Sequence, residues 1–250
     1  KPFYPGGRVS VCSSSQLAAC ACGEETRVVC LRTGQVVHSV PGDTAAVTAV
    51  CLGKGGKDLF VASRSLQVSH WDLETSTCKR RFRVHKSPVT HMCIDSQGMY
   101  LATAGSDNVV NVWDIQEGYL THALKGHRGV VTYCVFHPHP RKYHLYTCGD
   151  DTTVKAWDLK TKKCKATLKA HMSTVSSLSV SPCGQFLLSC GQDSMAHCWR
   201  TDGAFQKVAA IPVNEVTNSA VFLASEAMRV SEGSEMFEMS KTAEKGGRPP

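Results

Sequence analysis

Histidine, aspartate and serine or threonine recur in this chain at a constant spacing, and together they are the residue types of a nucleophilic triad. The histidines are 42 and 44 residues apart, and each is followed by a hydroxyl residue and then an aspartate. The three sets are His85, Thr103 and Asp107; His127, Thr147 and Asp151; and His171, Ser189 and Asp193. A catalytic triad acts as one constellation at one site, whereas this trio occurs three times. The repetition therefore predicts a structural hydrogen-bond network, with no catalytic residue.

A tryptophan completes each set, six residues after the aspartate: Trp113, Trp157 and Trp199. We expect the aspartate to lie in the tight turn between the second and third strands of a repeat, where its short side chain suits the turn. From there it can accept a hydrogen bond from the histidine. The histidine can bond the hydroxyl, and the hydroxyl can reach the indole N–H. Such a network satisfies buried polar groups and locks neighbouring strands together.

The cysteines offer a second kind of chemistry, because the chain has thirteen of them. Only Cys20 and Cys22 lie close together, and they lack the two paired clusters of a zinc site. We interpret the cysteines as buried thiols in a reducing compartment. His91 and Cys93 are the nearest approach to a reactive pair, but in a strand both side chains face the same side at a generic inner-strand position. The sequence predicts no metal and no cofactor.

The elements that position these residues follow from the period. Four series that share a 42- to 44-residue spacing, with Gly-His or Ala-His before Trp-Asp, are typical of WD repeats, each forming one four-stranded blade. We predict an all-β WD-repeat β-propeller over residues 1–223, with about five blades and a partial sixth. The predicted repeats are about 9–40, 43–84, 85–124, 127–168 and 171–207, with the partial sixth at 211–223.

The ends of the chain depart from this pattern. The second repeat has the turn Ser63-Arg64-Ser65 without an aspartate, and the first has Cys30-Leu31 where Trp-Asp would stand. Five blades and a stub leave two sheet edges open, so we expect an incomplete propeller from a longer protein or one with an altered C-terminus. A closed five-blade ring is the alternative. Residues 224–250 show no strand or helix period and are predicted to be a disordered tail.

The net charge of +7 indicates a mild bias toward an acidic partner such as RNA or an acidic protein surface. In the fourth repeat, two turns expected on one propeller face carry five cations: Arg141, Lys142, Lys160, Lys162 and Lys163. We predict an RNA or acidic-partner contact there, with no acid nearby in either turn. A solvated loop is the alternative. The run of Lys79, Arg80, Arg81 and Arg83 on an outer strand indicates edge protection instead.

Several segments outside the generic WD signature resemble one family of WD proteins. They are Pro2-Phe3-Tyr4-Pro5-Gly6-Gly7, the segment Val61-Ala62-Ser63-Arg64 of the degenerate second repeat, the turn Phe136-His137-Pro138-His139-Pro140, and Ile211-Pro212-Val213 leading to Val221-Phe222-Leu223. With these features, residues 1–223 resemble the N-terminal propeller of the transducin-beta-like nucleolar proteins, the U3 snoRNA-associated protein thirteen family of the UTP-B subcomplex. The resemblance implies a tandem double propeller with a helical C-terminal domain, and nothing in this chain corresponds to the second half of that architecture.

The resemblance implies a non-catalytic scaffold in the nucleolus that supports pre-rRNA processing and small ribosomal subunit biogenesis within the small-subunit processome. It implies as partners other WD-repeat proteins of a large ribonucleoprotein assembly, with possible pre-rRNA or snoRNA contact. No membrane contact and no small-molecule substrate are expected. The alternative is a generic WD adaptor, such as a ubiquitin-ligase substrate receptor or a signalling or trafficking scaffold.

Overall fold

The computed structural model describes residues 8–12, 14–213, 219, 221 and 222, and these residues form an all-β structure of five four-stranded sheets. Each sheet is an antiparallel meander of consecutive strands, and we name the sheets blades 1 to 5 in chain order. The prediction of an all-β propeller with about five blades is confirmed. The predicted tail at 224–250 lies outside the described residues. Within the described residues, no helix has the length and apolarity needed to cross a membrane.

The strand bounds show how regular the blades are, with strands of four to seven residues. Blade 1 contains β1 (Val9–Cys12), β2 (Leu17–Cys22), β3 (Glu25–Cys30) and β4 (Val36–Val40). Blade 2 contains β5 (Val47–Leu52), β6 (Asp58–Ser63), β7 (Gln67–Asp72) and β8 (Thr77–Arg83), with a short 3-10 turn at Lys54–Gly56 before β6. Blade 3 contains β9 (Val89–Ile94), β10 (Tyr100–Gly105), β11 (Val109–Asp114) and β12 (Leu120–Lys125).

The last two blades follow the same plan. Blade 4 contains β13 (Val131–Phe136), β14 (His144–Gly149), β15 (Thr153–Asp158) and β16 (Lys163–Lys169). Blade 5 contains β17 (Val175–Val180), β18 (Phe186–Gly191), β19 (Met195–Arg200) and β20 (Lys207–Pro212). The first strand of each blade is the innermost, because β1, β5, β9, β13 and β17 contact one another in succession.

The core lies between the blades. Each of four apolar clusters is shared by two consecutive blades, and the second strands are buried on both faces. Leu101, for example, packs into the cluster between blades 2 and 3, whereas its neighbour Ala102 packs into the one between blades 3 and 4. Successive side chains of a strand point to opposite faces of the sheet, so each second strand contributes to the apolar clusters on both sides of its blade. Among the described residues, no apolar cluster joins blade 5 to blade 1, as expected of an incomplete propeller.

The two terminal blades differ in how their outward faces are covered. On blade 5, Leu188, Cys190 and Ala196 form a fifth cluster with the partly buried Ile211, Val213 and Phe222. On blade 1, the outward residues Val9 and Val11 of β1 are 49% and 59% exposed. Blade 1 therefore presents apolar side chains that the described part of the chain leaves in contact with solvent.

The position of Ile211 and Pro212 corrects one predicted boundary. Both residues belong to β20, the outer strand of blade 5, where Ile211 pairs with Ala196 and Pro212 pairs with Met195. The prediction that Ile211 begins a sixth inner strand is wrong, because the connection from Thr201 to Gln206 is long and moves the outer strand toward the C-terminus. Most residues of 213–223 lie outside the described part, so a partial sixth blade remains a prediction.

Candidate functional site

The blade 4 network shows how the recurring polar residues meet. The His127 Nδ1 atom lies 2.9 Å from Asp151 Oδ2, and its Nε2 atom lies 2.8 Å from Thr147 Oγ1. The Trp157 indole N–H donates to the same Thr147 oxygen at 2.8 Å. With the His127 proton on Nδ1, the threonine hydroxyl donates to Nε2 while accepting from the indole. The chain of hydrogen bonds links the loop before the blade to its second and third strands.

Blades 3 and 5 repeat this arrangement. In blade 3, His85 lies 2.9 Å from both Asp107 Oδ1 and Thr103 Oγ1, and Trp113 donates to Thr103 at 3.2 Å. In blade 5, the distances from His171 to Asp193 Oδ2, from His171 to Ser189 Oγ and from Trp199 to Ser189 Oγ are all 2.9 Å. The structure thus brings together every residue of the three sets singled out by spacing.

The turn between the second and third strands positions each aspartate. The residue after it has a left-handed backbone, with φ of 64° at Asn108, 60° at Thr152 and 57° at Ser194. Each carboxylate also accepts the backbone N–H of the residue that follows the histidine; in blade 4 this is Arg128, at 2.9 Å from Asp151. The aspartate therefore joins the loop before a blade to a turn more than twenty residues later.

Burial and these hydrogen bonds set the charge states of the network. Burial lowers the pKa of His127, although Asp151 opposes that effect. Burial also works against ionisation of Asp151, but the Arg128 amide and the neighbouring His127 outweigh it and hold the pKa of Asp151 below its ordinary value. The side chains are 1% and 9% exposed, respectively. The Thr147 hydroxyl is fully buried and accepts the Trp157 indole N–H, so it has no contact with solvent from which a substrate could reach it.

Blade 2 contains a related network that the spacing did not reveal. Asp43 lies in the loop position of the histidine and its Oδ2 atom accepts a hydrogen bond from Ser63 Oγ at 2.6 Å and another from Ser65. Ser65 occupies the turn position that Asp107 occupies in blade 3. In blade 2 the acid therefore lies in the loop before the blade, and its serine partner lies in the turn. Val61 replaces the hydroxyl residue. A search for a recurring His and Asp misses this pair, because only the geometry recurs.

The predicted basic turns of blade 4 lie side by side at one end of the blade. Lys160 Nζ lies 4.9 Å from the centre of the Tyr143 ring, a cation–π contact that joins the two turns. Arg141, Lys142, Lys160, Lys162 and Lys163 are all exposed. None of them has a carboxylate of the described residues within salt-bridge distance. We call these five residues the blade 4 basic patch.

Two details of the predicted patch differ in the structure. Lys163 is the first residue of β16, paired with Asp158, rather than part of the turn. An acid also lies nearby: Asp158 Oδ1 accepts the backbone N–H of Lys160 at 2.9 Å. Burial works against ionisation of Asp158, but this amide and Thr161 outweigh it and lower the pKa of Asp158. The carboxylate caps the turn and reduces the positive potential at its base.

The positive charge of the basic residues on the outer strand β8 is partly neutralised. Lys79 forms ion pairs with Asp58 at 3.1 Å and Asp72 at 3.0 Å, and Arg80 donates to the Glu117 carbonyl at 2.8 Å. Arg81 and Arg83 are exposed on the same strand. Edge protection remains the interpretation of this run.

The structure also places a thiol pair beside an imidazole. Cys93 Sγ lies 3.5 Å from Cys134 Sγ on the neighbouring inner strand, and His91 Nδ1 lies 3.5 Å from Cys134 Sγ. Burial opposes ionisation of Cys134, but contacts with Cys93 and His91 outweigh it and lower the pKa of that thiol. His91 therefore faces Cys134 across the blade boundary, a relationship invisible within one repeat.

All thirteen cysteines are free, and seven of them are buried. The interpretation of the cysteines as buried thiols is wrong for Cys164 and Cys183, which are exposed. Cys164 lies on the outer strand β16, where one face of the blade edge meets solvent, and Cys183 lies in the turn before β18.

Comparison with known proteins agrees with this architecture. Residues 76–114, 118–158 and 162–200 match the family model of the WD domain, G-beta repeat. Each matched segment begins near the outer strand of one blade and ends with the third strand of the next, so consecutive repeats interlock. The sheets, the shared polar network and these repeats define the chain as a WD-repeat β-propeller protein.

The chain is also similar to Transducin beta-like protein 3. It is 35% identical to the protein from Bos taurus, 34% to that from Homo sapiens and 33% to that from Rattus norvegicus, in each case over 228 residues. These alignments cover 90% of this chain and 28% of each relative. The chain thus spans little more than a quarter of the curated relatives' length. The resemblance to transducin-beta-like proteins predicted from the sequence is confirmed.

Proposed function

We propose that this chain acts as a non-catalytic scaffold in the small-subunit processome of the nucleolus, where it supports pre-rRNA processing and small ribosomal subunit biogenesis. The observation that carries the proposal is the similarity to Transducin beta-like protein 3. At 90% of the chain, the alignment has to include blade 2, where the WD signature is worn. Similarity in that blade is more discriminating than similarity in the generic repeats.

The geometry supports a binding role over a catalytic one. The candidate nucleophiles Thr103, Thr147 and Ser189 are fully buried, and each accepts an indole N–H. The exposed features are instead turns and strand edges held by a rigid core. Such surfaces suit other WD-repeat proteins of a large ribonucleoprotein assembly. The blade 4 basic patch suits the phosphates of pre-rRNA or snoRNA, or an acidic protein surface.

A tagged pull-down of the full-length protein from cell extract tests this function, with mass spectrometry of bound proteins and sequencing of bound RNA. We expect other WD proteins of the processome together with pre-ribosomal RNA. A second pull-down with Arg141, Lys142, Lys160, Lys162 and Lys163 changed to alanine separates the two contacts, because it should lose RNA and retain protein partners. Recovery of ubiquitin-ligase or trafficking components without pre-ribosomal RNA would overturn the proposal in favour of a generic adaptor.

A further inference from the structure

His197 on β19 is a buried histidine outside the recurring sets. It pairs across the sheet with Ser189, the position that Asn111 holds opposite Thr103 and Lys155 holds opposite Thr147. In blade 3, Asn111 Nδ2 donates to the Val84 carbonyl at 2.7 Å. In blade 5, His197 is 3% exposed and neither ring nitrogen makes a hydrogen bond of normal geometry, although the Ala170 carbonyl lies beside it. Such a buried, unsatisfied imidazole is costly and needs a reason.

The groups around His197 provide one. One nitrogen of His197, one nitrogen of His171 and one carboxylate oxygen of Asp193 lie within 4.8 Å of one another. The rings of His171 and His197 meet edge to face, with centroids 4.5 Å apart. Asp193 is already oriented by the backbone N–H groups of Met172 at 2.9 Å and Met195 at 3.2 Å. Two imidazoles and a fixed carboxylate thus converge on one point.

The three side chains offer two kinds of ligand atom, imidazole nitrogens from His171 and His197 and a carboxylate oxygen from Asp193. Neutral imidazole and carboxylate are ligands that zinc accepts.

We infer that His171, Asp193 and His197 form a binding site for one zinc ion in blade 5. Zinc holds its ligand atoms at about 2.0–2.2 Å, so the ion takes the position between His171 Nδ1 and Asp193, and the His197 ring turns inward to reach it. No hydrogen bond of normal geometry holds the nitrogens of that ring in their present position. A fourth position remains for water. The sequence predicted no metal here because His197 belongs to no recurring series.

Zinc binding at His171 moves a proton within the hydrogen-bond network and releases none. When zinc binds Nδ1 of His171, the ring proton is carried on Nε2, which donates to Ser189 Oγ. The Ser189 hydroxyl, which donated to that nitrogen at 2.9 Å, turns toward the His197 backbone carbonyl 3.5 Å away. The Trp199 indole still donates to Ser189. Metal-bound histidines usually donate their second N–H in this way, so the repeat network becomes the outer support of the ion.

Zinc titration of the whole chain, followed by calorimetry and by thermal unfolding, tests the site. We expect one zinc ion more for the unaltered chain than for His197→Asn, and a rise in Tm with zinc that this variant loses. Blade 3 carries an asparagine at the equivalent position, so we expect the variant to fold. Zinc held by thiols is common to both proteins and cancels in the comparison. Equal zinc stoichiometry and equal Tm shifts in the two proteins would overturn the proposal.

A gain-of-site variant provides a second, independent measurement. Asn111→His places a histidine beside His85 and Asp107, in the same arrangement as blade 5, and we expect it to bind one further zinc ion. Cobalt absorption spectra identify the ligands, because nitrogen and oxygen ligation of the added ion lacks the thiolate charge-transfer band. If cobalt added to the unaltered chain and to His197→Asn gives identical d–d bands, no ion binds at His197 and the inference fails.

Discussion

His137 of blade 4 donates a hydrogen bond through Nε2 to the Gly184 carbonyl of blade 5, at 3.0 Å. Its other nitrogen, Nδ1, accepts the backbone N–H of His139 at 3.0 Å. These two bonds fix one neutral tautomer in a side chain that is almost fully buried. The contact ties the first turn of blade 5 to the loop that carries Arg141 and Lys142, so the basic patch has a rigid base.

This arrangement predicts a loss of stability in mild acid. Burial lowers the pKa of His137 to about 4, from an ordinary value of 6.5. Above pH 6.5 the ring is neutral in both states. Between pH 6.5 and about 4 the unfolded chain takes up a proton that the folded chain does not, so the free energy of unfolding falls, by roughly 3 kcal/mol. Chemical denaturation across this range measures the slope.

The His137 contribution is isolated by two variants. His137→Asn should flatten the decline between pH 6.5 and 4, whereas His38→Asn, on the outer strand of blade 1, should leave it unchanged. Parallel slopes in the unaltered chain and the His137 variant would show that other groups cause the acid sensitivity.

Thr147→Val should destabilise the protein while preserving the shape of the side chain. The hydroxyl joins His127 and Trp157, so its loss leaves a buried acceptor and a buried donor without their partner. Loss of such a partner costs about 1–3 kcal/mol. Urea unfolding measures the change, and the exposed Thr75→Val should stay within about 0.5 kcal/mol. A variant at Thr147 as stable as this control would mean that the network adds no stability.

Removal of the blade 4 basic patch should weaken RNA binding and reduce its dependence on salt. Each phosphate contact with a single strand adds about 0.7 to the slope of log affinity against log salt, so five alanines should lower that slope by roughly 3. Fluorescence anisotropy with a single-stranded RNA at several salt concentrations measures it. Alanines at Lys79, Arg80, Arg81 and Arg83 remove charge from β8 and serve as the control. Equal slopes of log affinity against log salt in the two variants would contradict the assignment of RNA binding to this patch.

Native thiol labelling should divide the cysteines by exposure. Cys164 and Cys183 are exposed, whereas Cys134, Cys148, Cys190 and Cys198 are at most 1% exposed. We expect an aromatic disulfide reagent to modify the first two in a fast phase, and Cys164→Ser with Cys183→Ser to abolish that phase. Peptide mass spectrometry assigns the sites. Early labelling of the four buried cysteines would contradict the packing between the blades.

The sequence predicted the residues that recur in several blades and missed the contacts that occur in one blade only. Period alone located the blades and the partners of His127, because every copy of the network repeats the same chemistry. Asp43 was missed because in blade 2 the acid stands at the loop position that the histidine holds in the other blades. His197 was missed because it belongs to no recurring series, and the Cys93–Cys134 contact was missed because its two thiols come from different repeats. The five residues of the basic patch are exposed in the structure, but Lys163 lies in β16, and Asp158 accepts a hydrogen bond from the turn and lowers its positive charge.

The placement of the apolar clusters has a consequence for how the fold opens. Each of the four clusters between blades links a blade to its immediate neighbour, so the free energy of unfolding of the array is close to a sum of blade terms and nearest-neighbour interface terms. Blade 1 has one such interface and an uncovered face at Val9 and Val11, whereas blade 3 has two. Among the described blades, we therefore expect amide hydrogen exchange to reach blade 1 before blade 3.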